Sequence, residues 1–266
     1  MRTTSEPYCC PRCGSSDKIM AALGRFFWIC ILFIVGGWAA CDITHPTRYL
    51  RYRLTVTVED KGALKRGEGV VEFAYPSPYE TFRFYGGYLS PIEMRGHPIT
   101  VDLGDDGLIF VTDMSSEKTS ARILPSEHQT IGWGPPNLSL LPIALYRARM
   151  NDGHSSREDI ITALQGEPHE PVDVPIHYMP ALMHFRTISD PNSIEEIDPA
   201  DLAKTFGQGV HLISATLQLT DDSVTSVPKV WPDWLKNPDS RVQIVLNYGS
   251  KGIGRQIMNA SSFAGK

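Results

Sequence analysis

The sequence predicts an α+β fold, mainly antiparallel β-sheet with a few short helices, after an N-terminal apolar helix. Three observations predict it. Apolar and polar residues alternate with period two in both the first and last thirds of residues 42–266. Between them lie short segments with helical spacing, repeatedly interrupted by proline. No regular strand–helix–strand alternation appears, which argues against a parallel sheet, and no fixed-period repeat suggests a solenoid.

The first element is the run Phe26–Cys41, sixteen residues without a charge, introduced by Arg25 and ended by Asp42. It is slightly short for a permanent membrane span, and Gly36 and Gly37 weaken its far end as a helix. A basic flank, an apolar stretch and small residues are the pattern of an export signal. Ala39 and Ala40 directly before Cys41 make it resemble the bacterial lipoprotein signal, with Trp38 where an aliphatic residue is usual. That resemblance implies a diacylglyceryl group on the Cys41 thiol, and Asp42 behind it implies retention at the inner membrane. A start at Met20 would give the signal typical lipoprotein length, leaving residues 1–19 as a disordered or mis-annotated leader. An uncleaved transmembrane anchor or a buried core helix are the alternatives for the same run. The organisation is then a leader over 1–19, a signal or anchor over 20–41, and a single globular domain over 42–266.

Next comes a strand at Arg51–Glu59, with Tyr52, Leu54, Val56 and Val58 on one face. A turn over Lys61–Gly67 leads to Val70–Tyr75, where Val71, Phe73 and Tyr75 share a side, and Phe82–Tyr85 is a third short strand. Ile99, Val101 and Leu103 alternate, Gly104-Asp105-Asp106-Gly107 supplies a turn, and Leu108–Thr112 returns as a hairpin. Leu140, Leu141, Ala144 and Leu145 have helical spacing, with Ser139 as cap and Pro142 in the first turn. Ser155 and Glu158 form a capping-box pattern for a helix through Leu164 that buries Ile160, Ile161 and Leu164. Prolines 168, 171, 175 and 180 make an extended connector. Asp198-Pro199 opens a short helix closed by Gly207. His211–Thr220 then alternates with Ile213, Ala215, Leu217 and Leu219 inward, and Arg241–Asn247 alternates once more.

Charge and cysteine usage bound the partners. Residues 42–266 carry 21 Lys and Arg against 28 Asp and Glu, a balance of −7 with His neutral. This acidic balance, with no basic stripe, argues against a nucleic-acid phosphate backbone as partner. All five cysteines lie at or before Cys41, so no disulfide forms within the domain. Arg2, Arg12, Lys18 and Arg25 precede the apolar run and Arg48, Arg51 and Arg53 follow it, a slight bias that turns the domain outward, to the periplasm or the cell exterior.

Few residues point to chemistry. Cys10-Pro-Arg-Cys13-Gly14 looks like half of a zinc ribbon whose second thiol pair is missing, and His169, His177 and His184 lack metal-site spacing, reading as solvent-exposed loop histidines; no metal or cofactor is expected. Gly249-Ser-Lys-Gly252-Ile-Gly254-Arg255 resembles the nucleotide loop of short-chain dehydrogenases. Only twelve residues follow Gly254, too few for that fold, so the stretch reads as a flexible C-terminal turn. No Gly-x-Ser-x-Gly elbow occurs. The carboxylates Asp102, Asp105, Asp106 and Asp113, with His97 or His128, are the candidates for acid–base work by an envelope hydrolase. Turn chemistry alone accounts for Asp105 and Asp106. Phe82, Phe84, Tyr85 and Tyr88, and Trp231 and Trp234, are candidate binding aromatics, though core packing is the commoner use of such residues. Tyr52–Glu59, Arg95–Phe110 and Asp190–Leu212 resemble segments of uncharacterised bacterial envelope proteins with a lipoprotein-type leader, a likeness that carries no catalytic residue. The expectation is a membrane-anchored, non-enzymatic binding or structural module, with membrane lipid held by the anchor and an envelope protein as partner; the alternative is the hydrolase.

Overall fold

A strand that alternates strictly from Leu50 to Val58 builds the centre of the sheet-forming unit: β1, Arg48–Asp60, buries Leu50, Tyr52, Leu54, Val56 and Val58 and turns its intervening residues outward. The computed structural model describes residues 26–33, 36, 46–76, 92–120, 136–150, 155–167, 170–190, 193–225, 243–247 and 255–259. By compactness the chain divides into two units, residues 1–46 with 77–89, and residues 47–76 with 90–266. In the first, residues 26–33 are helical. Among the described residues, no helix is long and apolar enough to cross a membrane.

The second unit is α+β, built on antiparallel sheets. β1 pairs along its length with β2, Ala63–Tyr75, and over Tyr52–Asp60 with β9, Val210–Leu219. The short strands β3, Glu93–Arg95, and β6, Val172–Asp173, complete a five-stranded sheet of order β3-β2-β1-β9-β6. A second sheet of four strands has the order β4-β5-β7-β8, formed by Ile99–Asp102, Leu108–Val111, Leu182–Phe185 and Ile194–Ile197. β10, Gln243–Asn247, and β11, Arg255–Asn259, form a separate hairpin. Among the described residues of this unit, four helices intervene: α1, Glu117–Ser120; α2, Leu141–Met150; α3, Arg157–Gln165; and α4, Ala203–Phe206.

Two glycines decide how the sheets meet. A Cβ on Gly67 would stand 2.3 Å from the Thr100 carbonyl oxygen, and one on Gly69 would lie 3.1 Å from the Ile99 side chain, so β4 crosses β2 where no side chain obstructs it. The apolar faces of both sheets, with Leu141 and Ala144 of α2 and Ile160 and Ile161 of α3, join one core. Tyr52 stacks on Phe73 with centroids 6.0 Å apart. Their neighbours satisfy the tyrosine hydroxyls: Tyr52 donates to the Leu138 carbonyl at 2.7 Å and Tyr75 to that of Ser139 at 2.5 Å.

Several expected elements differ in detail. The β1–β2 turn is the two residues Lys61 and Gly62, both at positive φ, rather than Lys61–Gly67; this geometry suits the twist of a tight hairpin. Helix α2 is capped by the Asn137 side chain, which accepts from Leu140 N–H, while Ser139 donates to it. For α3 the cap is Ser156, accepting from Asp159 N–H, one residue later than the capping-box pattern. In β9 a bulge opposite Thr57 and Val58 adds Ile213 as an extra residue, so it is 51% exposed instead of inward. The proline-rich connector contributes β6 and a 3₁₀ turn at Ile176–Tyr178. β3, β7, β8 and β11 have no counterpart in the sequence pattern. The expected strand at Phe82–Tyr85 lies outside the described residues.

Candidate binding pocket

The expected chemistry disperses. Asp102 sits at the turn end of the β4–β5 hairpin, accepting from Gly104 N–H at 2.8 Å. Asp105 and Asp106 occupy the 3₁₀ turn beside it, and Asp106 is paired with Lys61, whose ammonium is held above its ordinary pKa chiefly by that hydrogen bond. Asp113 is two residues past the other end of β5, roughly 15 Å away by strand rise, and its carboxylate accepts from Ser139 N–H at 2.9 Å. Burial pushes the Asp113 carboxyl above the usual carboxylate range, with the Ser139 hydrogen bonds opposing. Half-buried His97 precedes β4 at the Asp113 end. The hairpin therefore does not gather its carboxylates into one acid–base pair.

His184 is not a loop residue. It lies buried in β7, its Nδ1 is 3.2 Å from the Leu108 carbonyl, and its ring meets Phe206 edge-on at 4.7 Å. His177 is in the 3₁₀ turn, and among the described residues no group of three potential metal ligands converges. The glycine-rich stretch before Arg255 is followed by strand β11, whereas a phosphate loop opens a helix. Cys41, Phe82, Phe84, Tyr85, Tyr88, Trp231, Trp234, His128, His169, Cys10 and Cys13 lie outside the described residues.

What the fold does assemble is a pocket that no contiguous motif announces. It opens where β1 begins and β9 ends, with a volume of about 380 Å³, within the range of small-ligand sites. Leu50, Leu164 and Leu219 form its apolar floor, and Tyr49, Gln165 and Asp221 stand exposed around it. One wall is a cross-strand ion cluster on the outward face of the five-stranded sheet. Register sets Arg51 of β1 opposite Glu72 of β2, and Glu72 opposite Arg95 of β3. Arg51 donates through Nε at 3.0 Å to one oxygen of the buried Glu72 carboxylate, and Arg95 donates at 3.0 Å to the other. Both oxygens of the buried carboxylate are thereby satisfied by charge-assisted hydrogen bonds.

The other wall is a strap. Past Leu219, Thr220 N–H still bonds Arg51 of β1, but residues 221–225 turn across the outward face. The Arg51 guanidinium donates to the carbonyls of Asp221 and Asp222 at 3.1 Å, and Arg53 pairs with the Asp222 carboxylate. At the far end Thr225 hydroxyl and N–H satisfy both backbone groups of Val70. From α3, Gln165 Nε2 donates to the Tyr49 carbonyl at 2.9 Å, joining helix end to strand start.

A second cleft, between α2, β6 and β9, has a volume of only about 30 Å³, room for a single water. Comparison with protein-family models, with curated proteins and with solved structures returns no match, so the reading of the larger pocket rests on its own geometry.

Proposed function

We propose that this chain is a membrane-anchored envelope protein whose antiparallel body is a non-enzymatic binding module using the pocket at the head of β1. The observation that carries the anchoring is the helix at residues 26–33. Phe26, Phe27, Trp28, Ile29, Leu32 and Phe33 are between 50% and 78% exposed, covering all sides of two helical turns. An apolar surface of this kind is unfavourable in water at roughly 25 cal/mol per Å² and matches hydrocarbon instead. The apolar run to Cys41 extends it towards the small-residue site of the lipoprotein-type signal, so lipidation at Cys41 belongs to the same reading.

Binding rather than hydrolysis is supported by the separation of the hairpin carboxylates and by a ligand-sized pocket elsewhere with a saturated ion cluster in its wall. Fractionation of cells expressing the full chain tests the anchor. The protein is expected in the membrane pellet and resistant to alkaline carbonate, with deletion of residues 26–41 moving it to the supernatant. Intact mass of the wild type against Cys41→Ala separates the two anchors: a diacylglyceryl mass lost in the variant identifies lipidation, and an unaltered, uncut chain identifies a spanning helix. Recovery of the intact full-length protein in the soluble fraction would overturn the proposal.

A further inference from the structure

We infer that the pocket at the head of β1 takes a small organic cation bearing a primary ammonium group, held by Asp221, Gln165 and Tyr49. The inference rests on the binding-module reading above and names the ligand class of that same site. Its ground is which lining groups are already engaged. Arg51, the guanidinium that lines the pocket among the described residues, is committed through Nε and both terminal nitrogens to Glu72 and to the carbonyls of Asp221 and Asp222. Glu72 is held by Arg51 and Arg95, and the Thr220 hydroxyl is engaged with Asp222.

The groups left over share one polarity. The exposed Asp221 carboxylate has no hydrogen-bond or ion-pair partner among the described residues. Gln165 uses its amide nitrogen on the Tyr49 carbonyl, which fixes the amide's orientation and leaves Oε1 as an open acceptor. Tyr49 is 44% exposed and already carries one cation against its ring, the Arg95 guanidinium at 5.6 Å from the centroid. A carboxylate, an amide oxygen and a π face attract a donor of positive charge. With Arg95 counted beside Arg51, two guanidiniums balance the Glu72 and Asp221 carboxylates, so the unengaged acceptors rather than net charge select for a donor. A metal ion needs several oxygen ligands converging at once, whereas one unengaged carboxylate and an amide oxygen suit an ammonium with three donors. The leucine floor accepts the alkyl part of such a ligand.

The test is calorimetric titration of the full chain, in non-ionic detergent micelles, with 1,5-diaminopentane and with uncharged 1,5-pentanediol. Saturable diamine binding is expected with a Kd on the order of 1 mM, and none for the diol. Asp221→Asn, an exposed and conservative change, should weaken the diamine about fivefold, and Tyr49→Leu about threefold. Repeating the titration in nanodiscs of phosphatidylethanolamine and of phosphatidylcholine separates the sources of the ammonium: suppression only in the former identifies a lipid headgroup as occupant, and equal binding in both identifies a free amine. Equal affinity in wild type and Asp221→Asn, equal binding of the diol, or no saturation at about tenfold above the expected Kd would each overturn the assignment. Membrane pelleting of the same sample reads the anchor separately, so failure of amine binding and failure of anchoring are distinguishable.

Discussion

The two faces of the five-stranded sheet use the same strands for opposite physics. Inward, Tyr52, Leu54, Val56, Val71 and Phe73 are wholly buried, and their contribution is non-directional, scaling with area removed from water. Outward, Arg51, Glu72 and Arg95 stand in register across three strands, and their contribution depends on each donor finding its acceptor. Lost volume on the inner face is therefore expected to be costly, and substitution on the outer face to be mild wherever the ion network is untouched. Because its donors are internally committed, the outer face leaves acceptors to meet a ligand at the pocket.

The comparison breaks most readily at its centre. Phe73→Ala should cost about 3–5 kcal/mol in denaturant unfolding, since the ring is fully buried against Tyr52 and Tyr75. A loss below about 1 kcal/mol would mean the site collapses and the inner face is not close-packed. Gly67→Ala should cost about 2–3 kcal/mol by the same measurement, because the new methyl meets the Thr100 backbone rather than a yielding side chain. Glu72→Ala belongs to the other face. It leaves two guanidiniums facing each other, yet both are partly exposed, so screening reduces the loss to about 1–2 kcal/mol and makes it salt-dependent. A salt-independent loss would show that Glu72 acts by packing alone.

Asp113 adds a pH dependence to the inner side. Its folded-state pKa is raised by burial, so the folded protein holds the proton more tightly than the unfolded chain does. The associated stability is present below the ordinary carboxylate pKa, near pH 4, and declines as pH rises through the raised value. Asp113→Asn keeps an oxygen for Ser139 N–H and removes the titration. Stability of wild type relative to this variant, followed by thermal unfolding from pH 3 upward, should fall with rising pH; a constant difference would remove Asp113 as its source.

Legibility of the fold follows the same division. The inward faces of β1 and of the second half of β2 could be read directly, because a half-buried strand writes its burial as period-two alternation. β7 and β8 could not: Leu182–Phe185 is buried at every position, and Ile194–Ile197 is too short to show a period. Gly67 and Gly69 resemble turn residues in the sequence, yet they serve the approach of β4, a tertiary demand invisible along the chain. For the same reason the turn was expected to be longer than Lys61–Gly62. The pocket was illegible because Tyr49, Gln165 and Asp221 belong to a strand start, a helix end and a strap more than fifty residues apart from one another. The hairpin carboxylates were visible as a cluster in sequence, but a strand's length separates Asp113 from the rest.

The smallest effect is expected where the sequence pattern and the fold disagree. Alternation in β9 assigns Ile213 to the core, but the bulge opposite Thr57 and Val58 moves it out, while Val210 before the bulge and Ala215, Leu217 and Leu219 after it stay buried. If the bulge is what restores the inward phase, the side chain at 213 contributes little, and Ile213→Thr should alter unfolding by no more than about 0.5 kcal/mol. Leu217→Thr, four residues on and inward, should cost about 2 kcal/mol or more by burying a hydroxyl and losing apolar area. Equal losses for the two would mean that β9 runs in a regular register with Ile213 inside, and that the outward face near the Lys61 turn is differently composed. Unequal losses in the stated order sharpen the contrast to a single strand, in which one extra residue decides which of two isoleucine-sized side chains the core can feel.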